Sequence, residues 1–254
     1  MSTMKTLEFT KVNSSDLVTV ELPEINADNK AVVIISGGLD STILTNLLAS
    51  VTNSDNIVAI SFDYNQRHKV ELTKAAKTCE RLGISHTIIS LPFFSELVKN
   101  VSALSGCKVV DVPNMADVED NTQPPTYVPF RNTLFLTLAA SVAESNNCKY
   151  IFIGAQAGDL YGYWDCSPAF MEQFNKLMSL NHKNHIELYA PFVNLSKADE
   201  IAIGYHLDVD FSNTHTCYRG VDENGRSCGT CPTCTERLNN FKAAGLLDPL
   251  PYVN

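Results

Sequence analysis

Residues 32–42 read VVIISGGLDST, an apolar run that ends in a short loop with two glycines. Because glycine has no Cβ atom, consecutive backbone N–H groups of such a loop can converge on an anion. A helix that begins near Ser41 would add the positive end of its dipole, and the hydroxyl groups of Ser36 and Ser41 would add further donors. The stretch therefore predicts a buried strand followed by a phosphate-binding loop at the start of a helix.

The loop also contains Asp40, which limits the kind of phosphate that it can bind. It lacks the lysine of a Walker loop and the glycine spacing of a dinucleotide-binding loop. A carboxylate repels a pyrophosphate unless a divalent cation lies between them, so we expect Mg²⁺-bound ATP whose pyrophosphate leaves while AMP stays on the substrate. The alternative is a glycine turn in which serine and aspartate cap a helix without binding a ligand.

After the N-terminal segment, apolar strand-like runs alternate with helical ones. Strands are expected in AVVIIS, IVAISFD, HTIIS and YIFIG, and helices over residues 41–51, in KVELTKAAKTCERLG and around NTLFLTLAASVAES. This order is typical of an α/β fold with a doubly wound, mostly parallel sheet and right-handed crossovers. Ligands of such sheets bind beyond the carboxyl ends of the strands, so the loops after Ile35, Phe62 and Ile153 are expected to form the site.

The composition narrows the class of protein. A chain of 254 residues that is 44% hydrophobic can bury the core of one α/β domain with a small appendage. The 19 Lys and Arg against 28 Asp and Glu give a net charge of −9, which opposes broad contact with a nucleic-acid backbone and favours a small-molecule substrate. No stretch approaches the ~20 apolar residues of a membrane span, and the N-terminus MSTMKTLEF lacks signal-peptide features. We therefore expect a soluble, cytoplasmic protein without direct nucleic-acid or membrane contact.

Four of the eight cysteines crowd into one segment, Cys217-x10-Cys228-x2-Cys231-x2-Cys234. In a cytosolic chain this crowding is typical of a metal site. Two short knuckles would let backbone N–H groups reach the sulfur atoms, and four thiolates leave no open position on a tetrahedral ion. We therefore expect one structural zinc per chain. An iron–sulfur cluster is the alternative, since C-x2-C-x2-C also occurs in ferredoxins.

Two groups of polar residues occur where a ligand is expected. Gln66, Arg67 and His68 follow the second strand of the α/β pattern, and Arg67 could hold a phosphate by a bidentate contact. Arg131 and Asn132 open a helix, and Arg131 could neutralise a substrate carboxylate or the phosphate. A solvated polar turn and an ordinary helix start are the alternatives.

A third group follows the strand YIFIG, where several aromatic residues flank Asp159 and Asp165. A flat purine-like ring needs aromatic faces above and below it, and a guanine-type edge with adjacent N–H donors needs a carboxylate. We expect a substrate pocket here. Core packing of the aromatic residues is the alternative.

The loop SGGLDS is similar to the PP-loop of ATP pyrophosphatases, which adenylate a carboxyl or carbonyl oxygen. Four further stretches resemble the preQ0 (7-cyano-7-deazaguanine) synthase family: FDYNQRH at 62–68, TYVPFRNTLFLTLAA at 126–140, GYWDC at 162–166 and the cysteine segment at 217–237. The resemblance covers roughly residues 30–240 in the expected order. It implies that 7-carboxy-7-deazaguanine is adenylated by ATP, that ammonia displaces AMP to give an amide, and that a second adenylation leads to the nitrile.

The resemblance and the residues together give the expected site. The catalytic residues are expected to be Asp40, Ser41 and Arg131. The ATP-binding residues are expected to be Ile35, Ser36, Gly37, Gly38, Leu39, Asp40, Ser41, Thr42 and Arg67. The substrate-binding residues are expected to be Gln66, Phe130, Arg131, Asn132, Asp159, Tyr163 and Asp165. The metal ligands are expected to be Cys217, Cys228, Cys231 and Cys234.

The resemblance also implies an organisation and a partner. Residues 1–30 are expected to form an N-terminal extension with a possible hairpin at a sheet edge, 31–210 the ATP pyrophosphatase domain, and 211–254 a small zinc-binding subdomain with a tail. The family's members tend to be homodimers, so a homodimer is expected.

The sequence departs from the family's usual pattern at Phe130, Trp164 and Ser167, where glycine, proline and arginine are usual. These positions fall in the inferred substrate pocket, so 7-amido-7-deazaguanine is an alternative end product. A tRNA-modifying thiolase or lysidine synthetase, and a nucleotide sensor without turnover, are the alternatives from other classes.

Overall fold

A computed structural model describes residues 3–98, 101–104, 111–115, 124–156 and 163–253. Within these residues a five-stranded parallel sheet has the order β5-β4-β3-β6-β7. The strands of this sheet are β3 (Lys30–Ile34), β4 (Ile57–Asp63), β5 (Ser85–Ser90), β6 (Cys148–Ile153) and β7 (Glu187–Tyr189). The predicted α/β class with a mostly parallel sheet is confirmed.

Helices connect the strands and cover both faces of the sheet. They are α1 (Leu39–Val51), α2 (Val70–Leu82), α3 (Pro92–Val98), α4 (Arg131–Ser145), α5 (Pro168–Met178), α6 (Lys197–His206) and α7 (Pro232–Ala243). Successive residues of β3 alternate between two apolar layers, since Val33 packs with α1, α2, α6 and α7 while Val32 packs with α3, α4 and α5. The strand is buried on both faces, as the continuous apolar run predicted.

Local sequence signals explain where several helices begin and end. Gly83 follows α2 in the left-handed conformation, with φ 67°, and its N–H bonds the carbonyls of the last turn. Ser196 and Asp199 form a capping box at the start of α6. The first predicted helix begins at Leu39, two residues before the predicted start near Ser41, because the glycine loop already supplies its N-cap residue, Gly38.

The N-terminal segment forms an antiparallel hairpin of β1 (Met4–Thr10) and β2 (Leu17–Pro23). The hairpin was predicted, but its place at a sheet edge was wrong, since β1 and β2 form a separate two-stranded sheet in the described structure. The hairpin is held instead beside α6, where Lys11 pairs with Asp199 at 2.8 Å and Thr10 accepts a hydrogen bond from His206. Its apolar face joins the core on that side of the main sheet.

None of the helices in the described ranges is both long enough and apolar enough to cross a membrane.

Candidate active site

The loop SGGLDS joins β3 to α1 and is closed by its own serine side chains. The Oγ of Ser41 accepts the backbone N–H of Ser36 at 3.1 Å, and the two hydroxyl oxygens are 3.0 Å apart. The Oγ of Ser36 accepts the backbone N–H of Gly38 at 3.1 Å. These bonds hold the loop against the N-terminus of α1, where free N–H groups and the helix dipole favour an anion.

Two glycines are required by the close packing around this loop. Gly37 has φ 89°, and a Cβ atom on it would overlap the backbone carbonyl of Glu71 at the start of α2. A Cβ atom on Gly154, at the end of β6, would lie 3.0 Å from the backbone nitrogen of Ser41. Both positions bring a neighbouring backbone against the loop, so side chains there would displace it.

The loop forms one end of a cavity of about 240 Å³ beyond the carboxyl ends of β3, β4 and β6. The predicted loops after Ile35, Phe62 and Ile153 all contribute to its wall. The rings of Phe62 and Phe135 stack with centroids 4.1 Å apart and give the wall an apolar patch. The expected ATP-binding residues that line the cavity are Ile35, Ser36, Gly38, Leu39, Asp40 and Ser41. Gly37 and Thr42 lie behind them and shape the loop.

A lysine that the loop itself lacks reaches the cavity from the first turn of α6. The Nζ of Lys197 lies 3.5 Å from the Oδ2 of Asp40 and 3.7 Å from the Oε2 of Glu236 on α7. It also donates a hydrogen bond to Gln156 at 3.3 Å. The sequence analysis missed Lys197. The signal that could have identified it is a lysine directly after the capping serine of a predicted helix. Such a helix begins near the carboxyl edge of the sheet, where the ligand is expected.

The residues around Asp40 suit a magnesium ion. The Oδ1 of Asp40 is buried and has no hydrogen-bond partner, while its Oδ2 faces Lys197. A buried carboxylate oxygen without a donor is costly unless a ligand completes it. Carboxylate oxygen and phosphate oxygen are the ligands that Mg²⁺ prefers, so the site fits the cation that the sequence predicts.

The cavity wall carries a second polar group built around Arg131, at the start of α4. Tyr64, at the end of β4, is hydrogen-bonded to Arg131. Glu71, in the first turn of α2, and His68, two residues before that helix, also line the cavity, and their Oε2 and Nε2 atoms are 3.5 Å apart. Burial raises the pKa of Glu71 to about 8, although the Arg131 guanidinium opposes the rise. Burial also lowers the pKa of His68 to about 3, with further lowering by His215 and Arg131.

The expected substrate-binding residues are only partly brought together. Gln66, Arg131 and Asn132 line the cavity, but the side chain of Gln66 is bonded to the backbone of the strand end, through Tyr64 N–H and Phe62 O. Arg67 was expected to bind ATP but lies outside the cavity wall. Its backbone N–H donates to the carbonyl of Leu104, which turns this residue towards segment 101–104.

Asp165 and Tyr163 were expected in the pocket wall and lie behind it. The carboxylate of Asp165 accepts the backbone N–H of Asn132 and so completes a free donor in the first turn of α4. Burial raises the pKa of Asp165, against the effects of Arg131 and the Asn132 N–H. The hydroxyl of Tyr163 bonds that of Thr126 at 2.8 Å. Asp159 and the neighbouring Tyr161 lie outside the described residues.

The three departures from the family pattern are not among the described residues that line the cavity. The side chain of Phe130 is 62% exposed and packs edge-on against Trp164, which is itself 42% exposed. Phe130 has φ 53°, the left-handed region, at the N-cap position of α4. Ser167 caps α5 by accepting the N–H of Phe170. Phe130 was expected in the substrate pocket, and its ring is mostly exposed and is not among the residues that line this cavity.

The four clustered cysteines place their sulfur atoms together. All four Sγ atoms lie within 4.8 Å of one another, and those of Cys228 and Cys234 are 3.9 Å apart. The knuckle geometry is as predicted, since the backbone N–H of Cys231 reaches the Sγ of Cys228 at 3.3 Å and that of Cys228 reaches the Sγ of Cys217 at 3.5 Å. A tetrahedral ion with sulfur at ~2.3 Å requires S···S distances of roughly 3.8 Å, and the 3.9 Å between the Sγ atoms of Cys228 and Cys234 agrees with this value. The cluster could therefore hold one metal ion.

The segment that carries the cysteines also forms part of the cavity wall. Residues from this segment and from α7 line the cavity: His215, Thr216, Tyr218, Thr233, Glu236 and Arg237. Arg237 is buried and pairs with Asp248 at 2.8 Å, and its guanidinium also donates to Thr214 at 2.7 Å. The sequence reasoning treated this region as an appendage, whereas the structure makes it one side of the site.

A serine–glycine–aspartate loop at the carboxyl edge of a parallel sheet, beside a cavity with buried charges, is the arrangement expected of the PP-loop class. The chain belongs to the QueC family, since residues 30–245 match the family described as Queuosine biosynthesis protein QueC.

Sequence relatives agree with this membership. The chain is 42% identical over 223 residues to a 7-cyano-7-deazaguanine synthase of Methanoregula boonei, a match that covers 88% of this chain and 99% of the relative. It is 39% identical over 230 residues to the 7-cyano-7-deazaguanine synthase of Pseudomonas fluorescens, with 88% and 98% covered. Among solved structures, the NMN synthetase of Francisella tularensis is similar with 18% identity and a TM-score of 0.44, over 87% of this chain and 79% of that one. The protein is an enzyme of the QueC family.

Proposed function

We propose that the protein is an ATP-dependent, carbon–nitrogen bond-forming ligase that converts 7-carboxy-7-deazaguanine and ammonia to 7-cyano-7-deazaguanine. Relatives that carry this synthase name match over nearly their full length. The observation on this chain that carries the proposal is the unpartnered Oδ1 of Asp40 beside Lys197 in the phosphate loop. The Asp40 oxygen can bind a cation, and Lys197 supplies a fixed ammonium group. Together they suit a departing pyrophosphate, which is the leaving group of an adenylation.

The phosphate loop supports loss of pyrophosphate through its N–H groups and two cations. Asp40 would hold Mg²⁺, which neutralises charge on the pyrophosphate when it is bound. Lys197 supplies a second positive charge from α6, at a distance from the loop that is fixed by its contacts with Asp40 and Gln156. Fixed cations and N–H donors stabilise charge that develops on the leaving group without reorganisation during the reaction.

Arg131 is proposed to bind the carboxylate of the deazaguanine and to direct one of its oxygens at the α-phosphate of ATP. The guanidinium is fixed by Tyr64, and both residues line the cavity. Asn132 lies beside it, with its side-chain amide donating to the backbone carbonyl of Asp165 at 3.1 Å. Holding the carboxylate and the phosphorus atom in one geometry supplies much of the rate of such a displacement.

The cysteine cluster is proposed to hold one structural zinc ion. Four thiolates leave no open position, so the ion takes no part in the reaction and stabilises the segment that walls the cavity. We propose 31–210 as the ATP pyrophosphatase domain and 211–254 as the zinc-binding subdomain, with a homodimer as the assembly.

One incubation tests the proposal. Purified protein is mixed with ATP, Mg²⁺, ammonium and 7-carboxy-7-deazaguanine, and products are measured by mass spectrometry and nucleotide chromatography. The nitrile mass with two AMP per product is expected. One AMP per accumulated amide would instead establish 7-amido-7-deazaguanine as the end product, and ADP or unchanged acid would contradict the proposal.

A further inference from the structure

The proposed reaction removes every hydrogen from its nitrogen atom. Ammonia brings three N–H bonds, the amide retains two of them, and the nitrile has none. Each of the three protons must pass to an acceptor near the reacting carbon. This requirement rests on the proposed function, and a residue of the cavity has to meet it.

Three carboxylates line the cavity within the described residues: Asp40, Glu71 and Glu236. Asp40 and Glu236 both face the ammonium group of Lys197, at 3.5 and 3.7 Å. Both carboxylates are therefore already engaged with a cation. Asp40 is moreover committed to the phosphate loop. Glu71 differs from both because its close contact is the imidazole of His68, and burial outweighs the opposing effect of the Arg131 guanidinium on its pKa.

That imidazole belongs to His68, whose side chain is only 5% exposed. Its Nε2 faces the Oε2 of Glu71, and its Nδ1 is buried without a hydrogen-bond partner. His68 stays neutral in this environment, so it offers Glu71 no full positive charge. A buried nitrogen without a partner in a cavity wall points to a ligand that can exchange hydrogen bonds with it.

The surroundings of Glu71 suit a proton acceptor close to the reacting carbon. Glu71 and the proposed carboxylate-binding Arg131 line the same cavity and interact electrostatically. The exposed fraction of the Glu71 side chain is 14%, so bulk water has limited access. A general base works best when its pKa is near the working pH, and burial brings the pKa of Glu71 to about 8.

We propose that Glu71 is the catalytic proton acceptor for the nitrogen atom, with ammonia bound in the cavity beside the Glu71 carboxylate. Ammonia donates an N–H hydrogen bond to Glu71 and attacks the adenylated carbon with its lone pair. One N–H bond breaks, the proton passes to the Glu71 carboxylate, and the carbon–oxygen bond to AMP breaks with its electron pair leaving on AMP. The amide results, and Glu71 returns its proton to solvent.

The same residue serves the second half of the reaction. The amide oxygen attacks the α-phosphate of a second ATP, pyrophosphate leaves, and one N–H proton passes to Glu71. The final N–H proton follows after Glu71 has again been deprotonated. The nitrogen electron pair then forms the third carbon–nitrogen bond as AMP leaves.

The test separates adenylation from nitrogen transfer in Glu71→Gln, which keeps the side-chain shape and removes the acceptor. Adenylation is measured without ammonium, as exchange of labelled pyrophosphate into ATP that depends on 7-carboxy-7-deazaguanine. Nitrogen transfer is measured as amide plus nitrile formed after ammonium is added. General-base loss typically costs ~100-fold or more, so we expect product formation to fall at least about 100-fold while exchange stays within about threefold.

The matched control is Glu80→Gln, an exposed glutamate on the same helix, for which both rates should equal those of the wild type. Product formation by Glu71→Gln within tenfold of wild type, or an equal loss of exchange and product, would overturn the role of Glu71. Failure of the wild type itself to form amide or nitrile would instead overturn the proposed function.

Discussion

The cavity and the cysteine cluster both contain buried polar atoms, but these atoms differ in their hydrogen-bond partners and in their distances from one another. In the cavity, Asp40 Oδ1 and His68 Nδ1 are buried without hydrogen-bond partners. In the cluster, the four Sγ atoms lie within 4.8 Å of one another and receive N–H groups from the surrounding backbone. Buried polar atoms without hydrogen-bond partners are suited to ligands that bind and then leave. Sulfur atoms that surround a common centre are suited to a metal ion that stays bound. The polar atoms of the cavity are therefore suited to the reaction, and those of the cysteine cluster are suited to structural support.

The largest effect is expected from Asp40→Asn. The substitution keeps the shape of the side chain and removes the charge that would hold Mg²⁺, so AMP formation should fall by at least about 1,000-fold, or ~4 kcal/mol of barrier. Turnover of ATP is measured alongside thermal unfolding, which should stay at the wild-type midpoint. Asp28→Asn, at an exposed aspartate, is the control with the same charge change. A loss of less than tenfold, or ~1.4 kcal/mol, would contradict the role of Asp40.

A smaller loss is expected from Lys197→Met, which keeps the stem of the side chain. Removal of one fixed donor to a developing charge usually costs roughly 100-fold in rate, and ATP turnover should fall by about that factor. Lys176→Met, at an exposed lysine of α5, is the matched control and should leave turnover unchanged. If Lys197→Met reacted as fast as the control, the pairing seen at the phosphate loop would have no part in the reaction.

The cysteine cluster should respond through stability. Metal analysis of the wild type is expected to find about one zinc per chain, and Cys231→Ser should lose the metal and unfold at a lower temperature. Cys79→Ser tests a buried cysteine outside the cluster and should keep the metal content. Iron with visible absorbance in the wild type would replace the zinc assignment with an iron–sulfur cluster.

The smallest effect is expected from Phe130→Gly. Glycine adopts the left-handed backbone at φ 53° without strain, but the edge-on contact with Trp164 is lost. The two changes oppose each other, so stability should shift by no more than about 1 kcal/mol. Because the ring does not line the cavity, the ratio of nitrile to amide should not change. A switch from amide to nitrile in this variant would place Phe130 in the control of the end product after all.

The sequence predicted the parts of the molecule that depend on local pattern. The phosphate loop, the alternation of strands and helices, and the cysteine knuckles each follow from contiguous residues with strong steric or chemical preferences. Even the end of α2 at Gly83 was readable, since glycine there takes the left-handed conformation.

The parts that could not be predicted depend on contacts between distant segments. Lys197, Glu71 and Glu236 reach the cavity from three different helices, and no spacing rule connects them to the phosphate loop. Asp165 shows the opposite error, because its carboxylate completes the start of α4 instead of facing a ligand. The chemical type of a residue near a motif is thus weak evidence that it binds a ligand, because a nearby backbone donor can take up its side chain instead.

The central claim is that the two oxygen atoms of the substrate carboxylate leave on two molecules of AMP. The direct measurement uses 7-carboxy-7-deazaguanine with oxygen-18 in both carboxylate positions, with ammonium and ATP, and mass spectrometry of the nucleotide products. Each AMP released in nitrile formation should carry one oxygen-18 in its phosphate, and the nitrile should carry none. Unlabelled AMP, or label recovered in water or in pyrophosphate, would contradict adenylation of the carboxylate and with it the proposed role of the phosphate loop.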